Sequence, residues 1–152
     1  MSHSERDSDS FSLEKLRKTR LPIIWNMQKD EPYITWSKRQ FVASYDNVYA
    51  FISGNNEIVG FTAILKTPPD AEIHNLFICN ELRGRGLGKI LLKQTIQMIS
   101  AEFKNLYLEV SEDNYIAIAL YKSLGFEKIG ARKNYYRKGS TASNAIVMHL
   151  LI

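Results

Sequence analysis

Glycines stand at alternate positions, 84, 86 and 88, between arginines in the stretch NELRGRGLGKILLK (80–93), which then runs straight into helical spacing. Such a stretch fixes three things at once: an element must end before it, the backbone must turn within it, and a helix must begin after it. The first N–H groups of a helix have no intrahelical partner and lie at the positive end of its dipole. With Arg83, Arg85 and Lys89 alongside, and Gly84, Gly86 and Gly88 leaving the amides unshielded, the spot attracts phosphate and reads as a diphosphate cradle. A tight, solvated turn is the bland alternative. Two better-known phosphate loops do not fit. Gly84 and Gly88 are one residue too close for a P-loop, and Ile90 stands where that motif needs Ser or Thr on magnesium. The glycines run GxGxG rather than GxGxxG, and the strand before them lies far into the chain, which counts against a dinucleotide fingerprint.

Period and punctuation place this loop in a mixed α/β sheet. Strands are expected at 11–17, 47–53, 57–65, 72–79, 106–110, 126–133 and 144–151, with Gly54, Asn55 and Asn56 turning a hairpin between the second and third. Helices are expected from Pro22 to about Lys29, from the capping-box pair Ser37 and Gln40 through Val42, from Leu87 to about Glu102, and from Asn114 to Leu124. Gly125 then supplies a left-handed cap. No internal repeat or linker divides the chain, so residues 11–152 make one domain behind a polar, disordered tail at 1–10.

The tail carries no apolar run and the longest apolar stretches are short, so neither a spanning helix nor a secretory signal is expected. The lone Cys79 excludes an intrachain disulfide and a thiolate zinc cluster and fits a reducing cytoplasm; a small buried apolar role suits it better than a catalytic one. The net charge of +4 is consistent with an anionic ligand or simply a solvated basic face.

RGRGLG after the strand NLFIC resembles the acetyl-CoA motif, [RQ]xxGxG, of the GNAT superfamily of N-acetyltransferases. The segment LEVSEDNYIAIALYKSLGFEKIGARKNYY is similar to the matching stretch of its RimI-like protein N-alpha-acetyltransferases and is the more specific of the two. The likeness covers nearly all of the chain after the tail. One departure is Asn80, where the family commonly has proline, with Cys79 before it where an acidic residue is frequent. The resemblance implies a mostly antiparallel sheet of about seven strands, splayed in the middle and flanked by about four helices. It implies acetyl-CoA as co-substrate and no metal. Main chain at Leu76, Phe77 and Ile78 would pair with pantetheine like an added strand, Arg83 through Lys89 (with Leu87) would hold the diphosphate, and Asn114 would hydrogen-bond the pantetheine, a plain N-cap being the equal alternative.

Acyl transfer to an amine needs the nitrogen neutral and the departing thiolate stabilised. The family match makes Glu109 the general base, directly or through water, and Tyr121 the general acid. By their residue types alone, Glu109 reads as a solvated edge-strand carboxylate and Tyr121 as one more core aromatic. A phenol near pKa 10 protonating a thiolate near 8.5 is uphill by about 2 kcal/mol in water, so positioning or a depressed phenol pKa must help. An α-amine, with a pKa of about 7.7 to 8.0, is neutral far more often at neutral pH than a lysine near 10.4. Tyr135 and Tyr136 match positions that line the peptide groove of N-terminal acetyltransferases, with Tyr33 and Ile34 in the facing loop; packing at a strand end is the alternative. His74 reads as a polar strand residue rather than a second base. The expected acceptor is therefore the N-terminal α-amine of a protein, and the family points to a ribosomal one. A small amine such as a polyamine or aminoglycoside is the second reading and a non-catalytic acyl-CoA-binding module the third. No nucleic acid is expected to bind directly, no membrane is involved, and the protein is expected in the cytoplasm as a monomer or weak dimer.

Overall fold

The structure, a computed structural model, describes residues 10–31, 36–138 and 141–152, with backbone alone at 136–138. The expected tail up to residue 9, and Tyr33 and Ile34, lie outside the described residues. Seven strands form one sheet: β1 (Ser12–Lys15), β2 (Val48–Ile52), β3 (Ile58–Thr67), β4 (Asp70–Ile78), β5 (Asn105–Ser111), β6 (Glu127–Lys138) and β7 (Thr141–Leu151). Their order across the sheet is β1-β2-β3-β4-β5-β7-β6. Every neighbouring pair is antiparallel except β4 with β5. Among the described residues the helices are α1 (Leu21–Gln28), α2 (Lys38–Ala43), α3 (Leu87–Ile99) and α4 (Tyr115–Ser123).

The local signals that start these helices are in place. Ser37 Oγ accepts from the Gln40 amide at 3.2 Å while Gln40 Oε1 accepts from the Ser37 amide at 2.7 Å, a complete capping box for α2. Asn114 caps α4 by accepting from the Ala117 amide at 3.3 Å, and Gly125 closes that helix at φ +97°. Several boundaries differ from the sequence expectation, and three of the differences bear on packing or on the hairpin. The first strand is shorter and stops before Leu16, which turns into the core, and α3 ends at Ile99, from where the chain bends to bury Phe103. The β6–β7 hairpin runs further than alternation suggests. Asn134 adopts φ +55° and breaks the ladder after Arg132, and pairing resumes at Tyr136 opposite Ser143, so polar residues continue a strand that the sequence pattern ends at 133.

Helices cover the two faces of the sheet. On one, Leu21 and Ile24 of α1 and Phe41 of α2 pack on Val48, Ala50, Phe61 and Phe77. On the other, Leu92 and Ile99 of α3 and Tyr121 of α4 pack on Ile73, Leu106, Leu108, Val110 and Met148.

The feature that makes room for a site is where β4 leaves β5. The two pair only over Asp70–Ile73 and Asn105–Leu108, and then diverge. The cause lies in β4. Ala63 pairs with Asn75 but Ile64 with Ile73, so His74 is an extra residue, a bulge that bends β4 away at the end of its pairing with β5. The bulge also flips parity: Ile73 lies with α3 and α4, whereas Phe77, four residues on, packs with α1 and α2.

Candidate active site

Beyond the fork, a cleft of about 520 Å³ opens between the end of β4 and α4. Leu76, Phe77 and Ile78 form one wall, Asn114, Ala117 and Tyr121 the other, and Arg83 and Gly88 lie at its head. Here β4 is paired with β3 along one edge only, so its other edge offers main-chain groups to an extended ligand. Asn114 spends Oδ1 on the helix cap, which leaves its amide donors for the cleft. The cap and ligand roles are thus compatible.

The loop at the head of the cleft is shaped by its glycines. A short 3-10 turn at Asn80–Leu82 follows β4, so the loop is held there without the family's proline. Gly84 and Gly86 both adopt φ +78°, a left-handed conformation in which other residues are strained, and a Cβ on either meets nothing within 4 Å. The amides at the start of α3 therefore face open space, as an anion requires. Leu87 is buried and anchors the helix, and a Cβ on Gly88 would already sit 3.4 Å from Leu120 of α4. Arg83 Nε donates to the Ile78 carbonyl at 2.9 Å, its Nη2 to Glu31 at 2.7 Å, and its guanidinium lies 5.1 Å from the centre of the Phe77 ring. The side chain ties the loop to β4 and to Glu31, just past the end of α1, while Arg85 and Lys89 are exposed.

Tyr121 is only 8% exposed, its ring tilted against Phe126, and it lines the cleft. Burial pushes its phenol up to about 12, the reverse of a depressed pKa. The phenol is therefore fully protonated at neutral pH. The unfolded phenol ionises from about pH 10 and the folded one only near 12, so stability present below pH 10 is lost as pH climbs through that window. Urea unfolding at pH 9 and 11 should show wild type losing about 1.4 kcal/mol more than Tyr121→Phe across that interval. Equal losses in the two proteins would place the phenol in water.

Glu109 is the first residue of β5 past the last paired one, Leu108, and strand alternation puts it on the face opposite Leu108 and Val110. β5 lies inside the sheet between β4 and β7, so Glu109 is no edge-strand carboxylate; its side chain is 17% exposed. Its Oε1 accepts from Arg132 Nη1 at 2.8 Å, reaching across β7 over Val147 and the bare Gly130. The Arg132 guanidinium in turn lies 4.4 Å from the Tyr135 ring centre. Tyr135 sits in the β6 bulge, which is pinned because the Asn134 amide donates to Asn144 Oδ1 at 3.0 Å and Asn144 donates to Glu112 at 3.3 and 3.4 Å. Tyr136 contributes backbone pairing to Ser143, and its side chain lies outside the described set. Across the fork, Trp36 Nε1 donates to Nδ1 of His74 at 3.2 Å, and His74 Nε2 lies 3.7 Å from Glu72. A ring accepting at Nδ1 carries its proton on Nε2, so it is a donor there and not a second base. Cys79 packs among apolar side chains, and burial with the neighbouring Glu81 pushes its thiol up, away from nucleophilic character.

The structure brings the loop, Asn114 and Tyr121 to the cleft and puts Glu109 at the fork. Sequence reasoning missed Glu31, Glu72, Glu112, Arg132 and Asn144, all of which act through partners more than 20 residues away in sequence apart from the Asn134–Asn144 and Glu72–His74 contacts. Among the described residues no cluster could hold a metal ion and no helix is long and apolar enough to cross a membrane.

Residues 11–126 match the model of the acetyltransferase (GNAT) family. The chain is 30% identical over 140 residues to a [ribosomal protein bS18]-alanine N-acetyltransferase of Salmonella typhimurium, spanning 90% of this chain and 95% of that one. It is 35% identical over 112 residues to the N-alpha-acetyltransferase RimI of Mycobacterium tuberculosis, covering 71% and 70%. The crystal structure of the ribosomal-protein-S18-alanine N-acetyltransferase from Escherichia coli superposes with a TM-score of 0.83 at 26% identity, over 93% of this chain and 94% of that one.

Proposed function

Because the chain belongs to the acetyltransferase (GNAT) family and is an acetyltransferase, we propose that it moves the acetyl group of acetyl-CoA onto the N-terminal α-amine of a protein, as the names of its relatives indicate for an alanine of a ribosomal protein. One observation carries this reading. The fork beyond Ile73 and Leu108 has a carboxylate, Glu109, on one face of the sheet and a protonated phenol, Tyr121, on the other.

Acetyl-CoA supplies an activated thioester. Its diphosphate suits the amides of Gly84 through Gly88 with Arg85 and Lys89, and its pantetheine suits the open edge at Leu76–Ile78 and the Asn114 amide. The thioester then lies in the fork. The acceptor nitrogen, neutral as it attacks, bonds to the carbonyl carbon and gives its surplus proton to Glu109, directly or through water. As the carbon–sulfur bond breaks, Tyr121 is placed to protonate the departing thiolate. Base and acid on opposite faces serve the nucleophile and the leaving group on opposite sides of the carbon.

The acceptor side supports a peptide. Tyr135 presents a ring and hydroxyl at the bulge beside the Glu109–Arg132 pair. A peptide beginning with alanine should be acetylated on its α-amine alone, and blocking that amine should abolish transfer even when internal lysines remain. Tyr135→Ala should raise the peptide KM about 10-fold and leave acetyl-CoA affinity unchanged. Mass spectrometry placing the acetyl group on lysine, or faster turnover of spermidine than of any peptide, would overturn this assignment.

A further inference from the structure

Glu109 has a cation on it before any substrate arrives. Arg132 Nη1 lies 2.8 Å from the carboxylate, with the Arg132 side chain 55% exposed and Glu109 17% exposed. An ion pair with one partner so open to water adds little to stability, so its geometry must be judged by what it does at the fork. Three constraints fix the guanidinium: the Glu109 carboxylate, the Tyr135 ring 4.4 Å away, and the electrostatic pull of Glu72 on β4. The groups facing the pair among the described residues are Glu72 and His74 from β4, Tyr107 from β5 and Tyr135 from β6, while β7 carries Ala145, Val147 and, tilted against the Tyr107 ring at 4.9 Å, His149, whose Nε2 is 2.8 Å from Asn105 Oδ1.

We infer that Arg132 is a positioning residue that holds Glu109 at the fork and keeps a fixed positive charge beside the arriving amine, so that the amine binds in its reactive, neutral form. This rests on the assignment of Glu109 as the base. A bare carboxylate at this place would bind the acceptor as an ammonium, tightly and unproductively. With Arg132 already on the carboxylate, the ammonium gains less and is repelled by the guanidinium within a few ångströms. For charges about 6 Å apart at a partly solvated site, this amounts to about one pH unit in the bound amine. The chain thereby discriminates between protonation states of a single acceptor.

The test is the pH dependence of kcat, which reports the bound complex. In Arg132→Gln the acidic limb of kcat should move up by about one unit, lowering kcat about 10-fold below the limb, while the acceptor KM stays level or falls. Arg132→Lys, which keeps the charge, should hold the wild-type limb. Acetyl-CoA affinity by calorimetry checks that each variant is folded, and Arg132→Met reads the same limb if the glutamine variant is not. A limb unmoved in the neutral variants, or a lysine variant behaving like them, overturns the inference. The limb is read on whichever amine the wild type acetylates, so a failure of the α-amine assignment and a failure of this inference are separate results.

Discussion

Glu109→Gln should acetylate peptide at about one hundredth of the wild-type kcat or less at pH 7, with acetyl-CoA affinity unchanged. Glutamine keeps the volume and an oxygen that accepts from Arg132, so the arrangement at 2.8 Å survives in outline. What disappears is the capacity to take a proton. The residual rate should then climb with pH through the α-amine range near 8, since only acceptor that arrives neutral reacts. Steady-state kinetics with an alanine-initiated peptide, beside calorimetry with acetyl-CoA, checks both halves. Equal losses of turnover and of cofactor affinity would make Glu109 a structural residue of the sheet.

The second large effect is expected at the loop. Gly86 sits at φ +78° as the residue before α3, with open space where a side chain would begin. A Cβ there meets no protein atom within 4 Å. The strain of a β-branched residue in the left-handed region, of order 1–3 kcal/mol, instead moves the peptide plane and turns the first amides of α3 away from their ligand. The new methyls also occupy the anion's approach. Acetyl-CoA should bind on the order of 100-fold more weakly, about 3 kcal/mol, while Gly130→Ala, an open glycine away from the cleft with no such φ, should bind as wild type. Wild-type affinity should also fall with added salt as Arg85 and Lys89 are screened. Unchanged affinity in Gly86→Val would remove the diphosphate from this loop.

How much of this was legible depended on the range of the interaction. The capping box at Ser37, the Asn114 cap and the glycine loop are local, and the pattern of a few residues specifies them. The strand content followed from alternation up to residue 133, where the bulge at Asn134 let polar residues carry the hairpin on. The splay was implied by the family likeness, but its cause was not visible: only the register with β3 reveals His74 as an extra residue. The Glu109–Arg132 pair was hidden for a related reason. The two lie 23 residues apart on strands that do not touch, with β7 between them, so the sheet order had to be known before the contact could be. The partners of Arg83 were hidden likewise, since Glu31 is 52 residues away and the Ile78 carbonyl is reached only once the loop has turned back.

The short run of pairing between β4 and β5 has a consequence for the lifetime of the protein. Among the described residues, strands β1–β4 and β5–β7 are joined in the sheet only through Asp70–Ile73 and Asn105–Leu108, so the sheet carries a seam down its middle. A thioester arm lying along Leu76–Ile78 would close that seam from within and bind the folded state alone. At a concentration 100 times its Kd it adds about 2.7 kcal/mol to stability. Proteases sample the opened form, so a cell rich in acetyl-CoA would keep this enzyme longer and a starved one would clear it, matching the amount of catalyst to the supply of what it consumes.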